Sequence, residues 1–292
     1  MSTWQRDPNW LEAEYNNRAR VPAFAEHLQY WREASAQARV AAHGRCRLDV
    51  PYGDSAAERL DVFRPERSPK GGAPVMLFIH GGYWRSLDKA DHSFVAPAFT
   101  RQGVCVVVPN YALCPAVTIP QIVMQMVKAV AWVWRYISTW GGDPNRIHLV
   151  GHSAGGHLTA MLLGCDWRAY AADLPPDLVK ASVSVSGLYE LDSIRMSPLL
   201  QQDLRLDDKQ VLACSPAWMV PPINSQLYSV VGGLESEAFL SHNQLIQNAW
   251  GRQCVPLAQV IPGLHHFSIM DAFAQRGHPL NQLVHDIIHA NP

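Results

Sequence analysis

One segment constrains this chain more than any other: Ile147-His-Leu-Val-Gly-His-Ser-Ala-Gly-Gly. An apolar run leads straight into GHSAG, and a helix-forming stretch follows, so Ser153 falls on a turn between strand and helix. Gly151 and Gly155 flank it where side chains would collide with the neighbouring strand and helix. GxSxG alone occurs by chance; the strand before it and the helix after it give it meaning. The remaining pattern predicts strands at 47–50, 58–63, 75–79, 104–108, 147–150, 181–186, 226–231 and 256–261. Helices are predicted at 119–140, 154–164 and 279–289. Such alternation implies right-handed crossovers and a mostly parallel central sheet flanked by helices.

A serine in this setting predicts the α/β-hydrolase fold, whose catalytic partners follow in the order serine, acid, histidine. A hydroxyl is a weak nucleophile until a base takes its proton. After the last predicted strand the chain reads PGLHHFS, and of its two histidines His266 is preferred to His265, because its His-Phe step resembles the usual setting in this fold. The acid belongs just after the preceding strand, which makes Glu235 the candidate. Its task is to hold the imidazole tautomer and stabilise the imidazolium. Glu237 is a rival, although a surface carboxylate at a helix N-terminus explains it; Asp271 follows the histidine and is out of order. An oxyanion hole needs backbone N–H donors. Ala154 supplies one; in the loop Phe78-Ile-His-Gly-Gly-Tyr-Trp, Gly81 and Gly82 allow close approach, and Gly82 and Tyr83 are the further donors. His80 reads as a structural hydrogen-bonding residue.

One domain is expected over 1–292, with a helical segment at 1–44 and a helical cap at 191–222. Trp84, Tyr189 and the cap are expected to line the pocket around an aromatic leaving group. Lys and Arg number 24 against 25 Asp and Glu, so no global field favours nucleic acid. The N-terminus lacks an apolar leader and runs such as 75–79 are too short to span a bilayer, which predicts a cytoplasmic protein without membrane contact. Six scattered cysteines without a CxxC pair read as reduced thiols. HDIIH at 285–289 has the spacing of a metal helix, but Asp286 stands where that motif needs Glu, so no metal is expected.

HGGYW followed by RSLDK at 85–89 is more specific than these general signals. Together with YNNRARVP at 15–22, DPNRIHLVGHSAGGH at 143–157, SGLYEL at 186–191 and GLES at 233–236, it resembles the kynurenine formamidase (arylformamidase) family of α/β-hydrolase serine hydrolases. The resemblance implies Ser153 as nucleophile, Glu235 as acid and His266 as base, with Glu235 and His265 standing where the family often carries Asp. It implies cleavage of N-formyl-L-kynurenine to L-kynurenine and formate, a step of tryptophan catabolism, with no cofactor. The partner is then a small aromatic amide or ester, with a homodimer left open. Two alternatives share these signals: a general carboxylesterase of the hormone-sensitive-lipase-like type, and a catalytically inactive hydrolase fold used for binding.

Overall fold

A computed structural model of the chain describes residues 7–67, 69–223 and 225–290. Residues 1–6, part of the stretch read for a leader, lie outside the described residues. Among the described residues eight strands form one sheet: β1 (Cys46–Pro51), β2 (Arg59–Phe63), β3 (Ala73–Ile79), β4 (Cys105–Pro109), β5 (Gly142–His152), β6 (Val179–Val185), β7 (Gln226–Gly232) and β8 (Leu257–Ile261). Their order is β1-β2-β4-β3-β5-β6-β7-β8, and every pair from β4 to β8 is parallel while β2 runs antiparallel to both its neighbours. β3 and β4 are buried along their whole length. That is why their sequences are unbroken apolar runs rather than alternating ones.

Helices cover both faces. α1 (Pro8–Tyr15), α2 (Asn17–Arg20) and α3 (Phe24–Ala41) precede the sheet; α4 (Ala96–Thr100), α5 (Ile119–Tyr136), α6 (Ala154–Leu163) and α7 (Trp167–Tyr170) follow its central strands. The segment 191–222 folds as α8 (Asp192–Arg195), α9 (Pro198–Leu204), α10 (Asp208–Ala213) and a 3₁₀ turn at Pro216–Trp218. α11 (Glu237–Cys254), α12 (Ser268–Ala274) and α13 (Pro279–Ala290) follow. One apolar layer packs α5, α6 and α11 against one side of the sheet, and the other packs α3, α4, α12 and α13 against the opposite side. Among the described residues, no helix is long and apolar enough to cross a membrane.

Two elements differ from the sequence pattern. α5 begins with a Thr118–Gln121 capping box, but its last turn tightens to a 3₁₀ turn, Ile137–Trp140, which Gly141 ends at φ 83°. β5 begins at Gly142, five residues before the predicted start, because Gly142 pairs with Ala73 although Asp143-Pro-Asn interrupts the apolar pattern. All six cysteines are unpaired. Burial pushes the Cys105 and Cys214 thiols up to about 12, which keeps them protonated.

Candidate active site

The turn between β5 and α6 places Ser153 at φ 57°, ψ −118°, a backbone region that L-residues rarely occupy. The neighbouring glycines make this turn sterically feasible. A Cβ on Gly155 would stand 2.0 Å from the Ile79 carbonyl oxygen, and one on Gly151 would stand 2.2 Å from that of Gly155. As the first residue of α6, Ala154 has no acceptor for its N–H within the helix.

β3 ends in the loop that faces the serine. The Gly81 carbonyl oxygen lies 2.8 Å from His80 Nδ1 and accepts from the Tyr111 hydroxyl at 3.3 Å, while the Gly82 carbonyl accepts from Arg85 N, Ser86 N and Ser86 Oγ. In a trans peptide the N–H points opposite to the preceding C=O. Both carbonyls are held by the surrounding protein, so the Gly82 and Tyr83 N–H groups project the other way. Gly82 has φ 104°, and a Cβ there would meet the Ser86 carbonyl oxygen at 2.1 Å. A Cβ on Gly81 would sit 3.0 Å from Ser153 Cβ, so this loop passes directly over the elbow.

Glu235 and His266, the acid and base expected from the sequence, are in contact. Glu235 Oε2 lies 2.6 Å from His266 Nδ1; Glu235 Oε1 accepts from the Ser186 hydroxyl at 2.5 Å and from Gly232 N at 2.8 Å. Both oxygens of this buried carboxylate are therefore satisfied, and they fix its orientation. Ser153 and His266 line one cavity of about 260 Å³, with Gly82, Tyr83 and His152. The rivals are engaged elsewhere: Glu237 is exposed in the first turn of α11, and Asp271 holds Trp31 Nε1 at 2.8 Å and His27 Nδ1 at 2.7 Å. His265 Nδ1 accepts from Phe267 N and Ser268 N at the start of α12.

Two expected pocket residues lie elsewhere. Trp84 is fully buried, meeting His157 edge-on at 4.9 Å between centroids, and its carbonyl accepts from Cys114 N. With φ near 50° at both Tyr83 and Trp84, the loop turns so that Tyr83 lines the cavity and Trp84 enters the core. Tyr189 is also buried, its hydroxyl bonded to Ser184 Oγ at 2.7 Å and Ser229 Oγ at 2.8 Å, a tether to β6 and β7 rather than a pocket wall.

The apolar wall comes instead from Leu28, Trp31, Leu87 and Phe267. Leu28 and Trp31 belong to a buried stripe of α3 with Ser35 and Ala38, which has helical spacing and was legible only as a core face. α1 and α2 contribute as well: the Tyr83 hydroxyl donates to the Tyr15 carbonyl at 2.8 Å and accepts from Asn17 Nδ2 at 3.3 Å. Burial, reinforced by the neighbouring Tyr15 phenol and Glu235 carboxylate, pushes this phenol well above its usual range, so it remains a neutral donor. Two further residues had no independent sequence signal. His152 Nε2 lies 3.0 Å from the His266 carbonyl and steadies that loop, and Ser186, at φ 53°, orients the Glu235 carboxylate.

Several histidines in and behind the site are held neutral. Burial lowers His80, His92 and His157 from 6.5 to about 4 and His242 to about 3, and drives His152 well below its usual value. The unfolded chain thus takes up protons that the folded chain refuses. Their contribution to stability is complete above 6.5 and is lost as pH falls toward 4. By a pH of about 5.5, each ring that stays neutral costs about 1.4 kcal/mol of stability. Urea-unfolding midpoints are expected to be flat above a pH of about 7 and to fall steeply below about 6. A flat profile down to about 5 would show that these rings accept protons in the folded protein.

Known proteins resemble this chain in sequence and in fold. The BD-FAE family model matches residues 60–173, from β2 through the loop after β3 and the β5–α6 turn to α7. A kynurenine formamidase from Salmo salar is 29% identical, the alignment covering 88% of this chain and 86% of that protein. A kynurenine formamidase from Danio rerio is 35% identical over 58% of this chain and 55% of its own length. Among solved structures, a candidate thioesterase from Silicibacter sp. tm1040 superposes with a TM-score of 0.81 at 28% identity, covering 94% of this chain and 98% of that one.

Proposed function

We infer that this chain belongs to the kynurenine formamidase family of α/β-hydrolase serine hydrolases, and that it cleaves N-formyl-L-kynurenine to L-kynurenine and formate. The observation that carries this reading is Glu235 bonded to His266, which lines one cavity with Ser153, on a chain that resembles a kynurenine formamidase over most of its length.

In this reading His266 Nε2 takes the Ser153 hydroxyl proton as Oγ attacks the formyl carbon. Glu235 stabilises the imidazolium that forms. The negative oxygen is held by N–H groups of Ala154, Gly82 and Tyr83, donors already oriented before the reaction. As the C–N bond breaks, His266 returns the proton to the departing aniline nitrogen. Water then attacks the formyl ester with His266 again as base, releasing formate and restoring the serine. Every proton is accounted for by the chain's own groups and water. Six unpaired thiols support a reducing, cytoplasmic setting.

Acyl size supplies the test. Tyr83 stands where HGGG esterases carry a third glycine, and its ring is pinned beside the serine by two hydrogen bonds. Each added carbon must displace packed atoms at about 1–3 kcal/mol, which corresponds to roughly fivefold to a hundredfold per carbon. On one constant aniline leaving group, kcat/KM is therefore expected to fall from formyl to acetyl to butyryl. Equal rates on formyl and butyryl substrates would favour a broad carboxylesterase, the reading that shares this fold and site.

A further inference from the structure

We propose that the mouth of the Ser153 cavity is a subsite for the zwitterionic α-amino-acid end of the substrate, formed by Arg18, Arg85 and Asp203; it rests on the formamidase reading above. The cavity has two chemical zones. Around Leu28, Trp31, Leu87 and Phe267 it is apolar, as an aryl ring requires, and its charged lining away from His266 consists of Arg18, Arg85 and Asp203. Ser153 is only 2% exposed, whereas the Asp203 side chain is 42% exposed and Arg18 is exposed. A substrate with its formyl group at the serine therefore directs its far end to the charged zone.

The charges are arranged for a group bearing both signs. Arg85 Nη1 donates to Asp203 Oδ2 at 2.6 Å and to the Leu199 carbonyl at 2.8 Å, which fixes this pair between the oxyanion loop and α9. Arg18, on α2, makes no ion pair among the described residues; its guanidinium carbon lies 5.5 Å from the Phe24 ring centroid. The zone thus carries one positive charge beyond the Arg85–Asp203 pair. A substrate carboxylate reaches Arg18, and the ammonium reaches Asp203, whose hydrogen bond to Arg85 uses one oxygen. One half-exposed ion pair contributes little, but two together favour a molecule that carries both charges. A formanilide without charges leaves this zone unused.

The test compares N-formyl-L-kynurenine with the same aryl formamide whose α-carboxylate is replaced by hydrogen. With the native protein, loss of the carboxylate is expected to lower kcat/KM about tenfold or more, mainly through KM. In Arg18→Gln that preference is expected to shrink to about threefold or less. Equal kcat/KM for the two formamides in the native protein overturns the subsite and leaves the formamidase reading intact. A preference that survives undiminished in Arg18→Gln also overturns it. Failure to cleave either formamide, with butyryl esters still turned over, removes the formamidase reading and the subsite together.

Discussion

Ser153→Ala is expected to lower turnover of the formamide by about 10⁴-fold or more, the largest loss any single substitution in this cavity should produce. Without Oγ there is no acyl-enzyme, and what remains is the rate that bound water achieves with the oxyanion donors alone. The change should leave the fold in place. Ser153 N still donates to the Val185 carbonyl, and alanine introduces no atom beyond the Cβ already there. Its φ of 57° is no easier for alanine, so the strain of the elbow persists in the variant and thermal unfolding should be little altered. Stopped turnover with a normal Tm is thus the expected pair of results. A variant that kept more than about a tenth of native activity would remove Ser153 from the mechanism. Loss of labelling by a fluorophosphonate gives an independent reading of the same hydroxyl.

The elbow was legible because its constraints are local. Gly151 and Gly155 are needed for close backbone approach, and strand, turn and helix lie within a dozen residues. The wholly buried β3 and β4 were legible for a related reason, since a strand covered on both faces must be apolar throughout. Glu235 and His266 could be narrowed by chain order, but separating them from Glu237 and His265 takes knowledge of which side chain reaches inward. Nothing in the strand pattern conveys that. Trp84 shows the limit most clearly: Tyr83 and Trp84 are adjacent aromatic residues, and only the positive φ at both decides that the first lines the cavity and the second the core. Leu28 and Trp31 lie over a hundred residues from Ser153 in sequence, so their part in the pocket wall depends on tertiary packing of α3. RSLDK likewise stood out as a motif, while its structural content is non-local: Lys89 Nζ reaches the buried Asp61 at 2.7 Å on β2.

Glu235→Gln is expected to cost about 10⁴-fold in kcat, although it changes one oxygen for a nitrogen in a side chain that need not move. The reason lies in the donors around the carboxylate. Ser186 Oγ and Gly232 N both donate to Oε1, so in the variant the amide oxygen must take that side and its NH₂ must face His266 Nδ1. The opposite orientation would set the NH₂ against the Gly232 N–H. Facing a donor, Nδ1 becomes the unprotonated nitrogen and Nε2 carries the hydrogen. An imidazole in that tautomer cannot accept the Ser153 proton, and no carboxylate remains to stabilise an imidazolium. Glu237→Gln gives the control, since that side chain is exposed on α11; its activity should stay within about twofold of native. KM should change far less than kcat in Glu235→Gln, because the cavity surface that holds substrate does not include this residue. Comparable mild losses in both glutamine variants would place the acid elsewhere, and a loss in Glu235→Gln carried mainly by KM would mean that the carboxylate shapes the pocket rather than the base.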